Sequence, residues 1–271
     1  MNAQPISQPI SSPVTRRQAL AALAVAGAVA HVPLRAQTGG TVRLILPVSA
    51  GSGVDAIVRA SSNALGKALG QNVVIENQPG AGGVVGTAAM IKATPDGNTL
   101  SFVSNNHVIY PSVLKSVPFD PLADITPISL VAISPMILIV NPKLPVATLN
   151  DFVALLKANP GKYNFASSGN GTILHLAAEL FKDTAGVFST HIPYRGFGPM
   201  LTDIMSGQVD WGVGALPAVV GQIKAGTVKA LCIASSARNA AIADVPTSAQ
   251  AGLPAFEIGG WSAVVGPKGM A

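Results

Sequence analysis

Between Gly70 and Leu100 the chain reads GQNVVIENQPGAGGVVGTAAMIKATPDGNTL, and this stretch limits the folds open to it more than any other. The β-branched run Val73, Val74, Ile75 ends on Glu76–Asn77, and Pro79–Gly80 then breaks the chain. A Gly/Ala-rich helical pattern follows from about Gly82 to Ala93, with a second turn at Pro95–Asp96–Gly97. Strand, glycine loop, helix, turn and strand make a βαβ unit, and hence an α/β protein with parallel strands whose carboxyl ends form ligand sites.

The first 36 residues stand outside that argument. Thr15–Arg16–Arg17–Gln18 precedes the mildly apolar run Ala19 to Ala30, the pattern of an export signal, and the paired arginines suggest the twin-arginine route. Cleavage is expected near Ala36 or at Ala28–Ala30. A membrane anchor is the alternative, but so short a run cannot span a bilayer. The leader holds three arginines and no acids, so of 17 basic and 12 acidic residues 14 and 12 remain, a net charge near +2 rather than +5. No Lys/Arg cluster of the kind that binds nucleic acid is left. The lone Cys232 cannot form an internal disulfide, and its setting, KALCIAS, suggests a buried strand.

The remaining stretch of roughly 235 residues suffices for one large or two small domains. Strand signals at Thr41–Leu46, Asn72–Glu76, Leu100–Ser104, Ile133–Val140, Tyr163–Ala166, His191–Pro193, Val209–Val213, Lys229–Ala234 and Trp261–Val265 predict an alternating series. Helical patterns at Asp55–Leu69, Leu149–Ala158, Leu174–Thr184 and Met200–Ser206 lie between them, so parallel sheets with helices on their faces are expected. Ile133–Val140 follows a Pro-rich connection (Pro118, Pro121, Pro127) and reads as a domain crossover, with Trp261–Val265 as the return. This predicts a two-lobed α/β periplasmic-binding-protein plan with a hinged central cleft. Lobe 1 comprises residues 37–135 and 258–271, and lobe 2 residues 136–257.

Two strand-to-helix loops are the candidate site, one per lobe. The first contains Ser49, Gly51, Ser52, Gly53 and Asp55; the second is Ser167, Ser168, Gly169, Asn170, Gly171 and Thr172. Small residues let backbone amides approach a ligand, and a helix N-terminus adds partial positive charge, so facing loops could pinch a carboxylate. Each loop alone is equally an ordinary helix cap. Gly51-x-Gly53-x-x-Ala56, with Glu76 ending the next strand, also fits a dinucleotide loop. A nicotinamide-dependent oxidoreductase is therefore the alternative, although Pro47–Ala50 lengthen the turn.

Other catalytic signals fail: Ser112-x-x-Lys115 lacks partner motifs, and no G-x-S-x-G or H-E-x-x-H is present. No catalytic residue, metal or cofactor is expected. His175 either contacts a ligand or packs its helix, and His107 and His191 read as structural or surface residues. Asn105–Asn106 ends the third strand at the cleft rim, or simply makes a turn. Tyr194, in Pro193–Tyr194–Arg195–Gly196, is a candidate donor. Asp210–Trp211 is read as ending a strand, with Asp210 at the cleft and Trp211 either walling the pocket or filling the core.

Taken in order, ENQPGAGG (76–83), TPDG (94–97), ANPGKYNFASSGNGT (158–172), HLAAELF (175–181), PYRG (193–196), SGQVD (206–210) and DVPTSAQAG (244–252) make the chain resemble the Bug-type extracytoplasmic receptors of tripartite tricarboxylate transporters, over nearly all of residues 38–268. The resemblance implies a type II periplasmic-binding fold and a non-catalytic, periplasmic, monomeric receptor. It implies a small organic carboxylate held between the two loops by backbone amides, hydroxyls and water, and delivered to membrane permease subunits. A sensory receptor presenting the same ligand is the alternative within that fold. Ser52 stands where the family usually has glycine, and Val54 where it has a small or polar residue, which predicts an altered pocket. The family also continues past a position like Lys268 with helices that return to lobe 1; their absence here predicts exposed apolar surface.

Overall fold

The computed structural model describes residues 40–270; the export-signal expectation lies outside them. Nine strands form one curled mixed sheet: β1 (Thr41–Leu46), β2 (Asn72–Asn77), β3 (Thr99–Ser104), β4 (Ile125–Val140), β5 (Asn164–Ser167), β6 (Thr190–Pro193), β7 (Trp211–Ala215), β8 (Lys229–Ile233) and β9 (Gly259–Pro267). Their order is β2-β1-β3-β9-β4-β7-β5-β6, with β8 also paired to β4. Seven helices join them: α1 (Gly53–Leu69), α2 (Val84–Ile91), α3 (Asn106–Val113), α4 (Leu149–Ala158), α5 (Ile173–Ala185), α6 (Phe197–Ser206) and α7 (Leu216–Lys224). Among the described residues no helix is long and apolar enough to cross a membrane.

The fold is two-lobed. In lobe 1, β1 pairs in parallel with β2 and β3. In lobe 2, β5 pairs in parallel with β6 and β7. The long strand β4 joins them: Ile125–Pro135 pairs antiparallel with β9, and Met136–Val140 antiparallel with β7 and β8. The sheet is therefore mixed rather than purely parallel, because β4 and β9 run between the lobes in opposite directions. β4 also begins eight residues before the predicted crossover strand. Its register shift between Pro127 and Ser129 absorbs a proline that in sequence reads as a break.

Lobe 2 holds the larger core, in which Trp211, Phe152, Phe165, Phe181 and Phe256 are fully buried and mutually packed. This places Trp211 in the core and not on a pocket wall. Lobe 1 is built on smaller clusters around Leu44, Leu46, Val58 and Phe102, and around Ile45, Met90 and Val103. Cys232 lies buried in β8, where burial pushes its thiol up to about 12. On β4, Ile128, Leu130, Val131 and Ile133 face solvent. His107 is a buried packing residue beside Phe119, with Nε2 against the Pro121 carbonyl.

Candidate functional site

A cavity of about 610 Å³ opens between the lobes. Its walls are the loops that follow β1, β2 and β3 on one side and β5, β6 and β7 on the other, with Ser134, Met136 and Trp261 of β4 and β9 at the crossing. Carboxyl ends of parallel strands feed helix N-termini, so α1, α3, α5 and α6 all begin at the cavity wall. Their dipoles create positive potential at the wall. Arg195 is the one charged residue among those lining the cavity, and none is acidic.

Ten of the sequence-predicted residues line the cavity: Ser49, Ser52, Gly53, Asn105, Asn106, Ser168, Gly169, Asn170, Thr172 and Tyr194. Several have polar atoms engaged with neighbours. Ser52 caps α1, accepting from the Asp55 amide at 3.3 Å. Asn105 ties the start of α3 to β9, accepting from the Trp261 amide at 2.8 Å and donating to the Gly259 carbonyl at 3.2 Å. The Tyr194 hydroxyl donates to Asp203 Oδ2 at 2.6 Å, which engages the donor expected for a ligand. Thr172 caps α5, and its hydroxyl donates to the Gly169 carbonyl at 2.8 Å.

Six others lie outside the lining, and five of them support it. Asp55 is buried beneath the first loop, accepting from the Gly51 amide (2.9 Å), Asn77 Nδ2 (3.0 Å) and Arg59 Nε (3.0 Å). Ser167 is buried, accepting from the Gly169 amide at 3.1 Å. Gly171 donates its amide to His175 Nδ1 at 3.0 Å, fixing that ring as support for the loop. Asp210 corrects the sequence reading most clearly. It precedes β7 rather than ending it, and Oδ2 accepts from the Asn164 amide at 2.7 Å at the start of β5. It therefore sits at the strand ends opposite the loops. Glu76, the ribose-binding candidate of the dinucleotide reading, forms a paired hydrogen bond with Arg43 at 2.8 and 2.9 Å.

Val54, where an altered pocket was expected, is on the cavity wall; the sequence reading did not single out Arg195, Ile57, Phe197, Ser134, Met136 or Trp261, which are also there. A basic residue in the PYRG turn was a usable signal for Arg195. The crossing-strand residues carry none, since they reach the cavity only through tertiary pairing.

The second loop rests on two stacked imidazoles. The His175 and His191 rings lie 4.0 Å apart and nearly parallel, and His191 also stacks on Phe165 at 4.7 Å. Ser167 Oγ lies 2.6 Å from His191 Nε2. Burial, then the charge of His175, pushes His191 down to about 4, and burial also lowers His175 and His107. The unfolded chain therefore takes up protons first, near the ordinary histidine value of about 6.5. Stability is full above that pH and is lost as pH falls from about 6.5 towards 4. The melting temperature is expected to drop across this window, and His191→Gln to flatten the drop. An unchanged melt from neutral pH to pH 4.5 would show that these rings are not held neutral.

A two-lobed fold with helix N-termini converging on an interlobe cavity defines a solute-binding receptor of the periplasmic type. The model of the tripartite tricarboxylate transporter family receptor matches residues 57–271, and the chain belongs to this family. It is 37% identical to protein BugT of Bordetella pertussis over 249 residues, 91% of this chain and 76% of the relative. Among solved structures it is similar to an R. palustris protein with adipate, at 30% identity and TM-score 0.83, over 86% of this chain and 79% of that one. It is also similar to MatC from Rhodopseudomonas palustris with bound malate, at 31% identity and TM-score 0.79, over 85% and 79%.

Proposed function

We propose that the protein captures a small organic carboxylate, foremost a dicarboxylate, between its lobes in the periplasm and delivers it to tripartite-type permease subunits. The observation that carries this reading is the cavity's charge: several helix N-termini and Arg195 face it, and no acidic side chain does. Amides at Gly53, Ser168 and Asn170 suit one carboxylate, held without a buried cation, since those of Gly169, Gly171 and Thr172 donate within the protein. Arg195, exposed on the wall, suits a second. Adipate and malate, the molecules present with two similar structures, are both dicarboxylates. The apolar parts of the wall, Val48, Val54, Ile57 and Phe197, suit the carbon chain between two acid groups. In this reading β4 and β9 are the hinge, and the receptor works as a monomer without a cofactor.

The test is a thermal melt against di-, tri- and aromatic carboxylates, with NAD as control. A ligand at a hundred times its Kd adds about 2.7 kcal/mol, which for a chain of this size raises Tm by about 5–10 °C. A shift with one carboxylate class is expected. A shift with NAD alone would replace the receptor reading with the dinucleotide one.

A further inference from the structure

Among the described residues, two hydrogen bonds cross the cleft. Ser49, on the loop after β1, accepts from the Phe197 amide at 2.9 Å, and Asn106, opening α3, accepts from the Ile173 amide at 2.8 Å. Both donors are the first residues of lobe 2 helices, α6 and α5. Such amides have no acceptor within their own helix and are ordinarily capped by a neighbouring side chain. α6 supplies no acceptor for its first amide: an N-cap side chain reaches only the second or third, and the N-cap residue here is Gly196. α5 has Thr172, but Thr172 serves the His175 amide and leaves Ile173 to Asn106. Asn106 is itself held in place, its Nδ2 donating to the Gly82 carbonyl at 3.1 Å. The lobes also meet closely at Gly53, where a Cβ would stand 2.8 Å from the Ala215 Cβ.

We infer that Ser49 and Asn106 are closing residues: they complete the N-termini of α6 and α5 only when the lobes meet, and so bias the cleft towards its closed form independently of ligand contacts. When the lobes part, the two amides pass to water, so each bond contributes only its net capping value. That value is about fivefold in the closed-to-open ratio per bond, and about thirtyfold for the pair if the two add. Ser49 and Asn106 thereby act as positioning residues, and the polar groups left for solute are the remaining loop amides, hydroxyls and Arg195.

The test uses the full chain with spin labels on exposed positions of each lobe, Asn63→Cys on α1 and Lys157→Cys on α4; the native Cys232 is buried. Interlobe distances are measured by pulsed dipolar spectroscopy with no carboxylate added, so the outcome does not depend on which solute binds. The Ser49→Ala/Asn106→Ala double variant is expected to move the population from the short distance to a longer one by about thirtyfold in ratio. Gly53→Ala is expected to do the same by a different route, wedging against Ala215 with both acceptors intact. In Gly53→Ala the amides of Ile173 and Phe197 should lose hydrogen-exchange protection together, which a local capping defect would not cause. A double variant with the wild-type distance distribution, or a wild type with no closed population, would overturn the inference. Should the double variant fail to fold, continued protection of both amides in Gly53→Ala would overturn it equally.

Discussion

Asp55→Ala is expected to lower the melting temperature by about 6–12 °C and to weaken carboxylate binding at least about a hundredfold. The carboxylate is nearly fully buried, yet it faces away from the cavity and into the base of the first loop. Three groups converge on it: the Gly51 amide, Asn77 Nδ2 and Arg59 Nε, at 2.9 to 3.0 Å. Burial by itself would raise its pKa, but the Arg59 hydrogen bond, followed by those from Gly51 and Asn77, outweighs this and holds it below the usual carboxylate range. Removing it leaves the Gly51 amide to water and Asn77 Nδ2 with only the Val48 carbonyl at 3.3 Å. Charge-assisted bonds to a buried acceptor, discounted because Arg59 is half-exposed, put the loss near 3 kcal/mol. For a chain of this size each kcal/mol moves Tm by about 2–4 °C. Binding suffers more than stability, because the same loop sets Ser49, Ser52 and Gly53 at the cavity. Asp55→Asn, which keeps the shape and loses the charge, should fall between. Calorimetry on both variants decides the matter, and an Asp55→Ala chain with a wild-type melt would sink this account.

The parts of the fold legible in the sequence are those set by local chemistry. α4 spans Leu149–Ala158 as predicted, because Thr148 and Asp151 form a capping box that marks its start. β2 follows from a β-branched run that begins after Gly70 and ends before Pro79–Gly80, and β3 from the turn at Pro95–Gly97 that precedes it. α3 was missed because Pro111 lies inside it and its opening Asn105–Asn106 reads as a turn. α7 was missed because Pro217 and Gly221 interrupt its pattern. In β7 a two-residue boundary error moved Asp210 from one end of the strand to the other, since a strand's two ends serve opposite faces of the layer. The candidate loops were legible as glycine- and serine-rich turns after strands. What they bind within the protein was not. Asp55 meets Asn77, Tyr194 meets Asp203 and Asn106 meets Ile173 only after the chain folds, and no spacing in the sequence announces those meetings.

Gly169→Val is expected to abolish carboxylate binding while leaving a cooperative melt within about 10 °C of wild type. Gly169 has φ of +134°, a backbone region that residues with a Cβ rarely adopt. It is also the centre of the second loop. Its amide donates to Ser167 Oγ at 3.1 Å, and its carbonyl accepts from the Thr172 hydroxyl at 2.8 Å and the Thr172 amide at 3.3 Å. Forcing a β-branched residue there costs about 1–3 kcal/mol if the loop holds, or displaces Ser168, Asn170 and Thr172 if it yields. Either way the amides facing the cavity leave their positions. The lobe 2 core around Trp211, Phe165 and Phe181 is built from other elements, so folding should survive. Space is not the limiting factor: a Cβ would lie 3.4 Å from the Tyr194 carbonyl oxygen and 3.7 Å from Thr172 Cγ2. Gly169→Ala therefore separates conformation from crowding. It fits the space but shares the disfavoured φ, so it too should lose most of its affinity in titration calorimetry. An alanine variant that binds as wild type does would show that the loop tolerates another backbone conformation, and that the amide geometry at Gly169 does not govern binding.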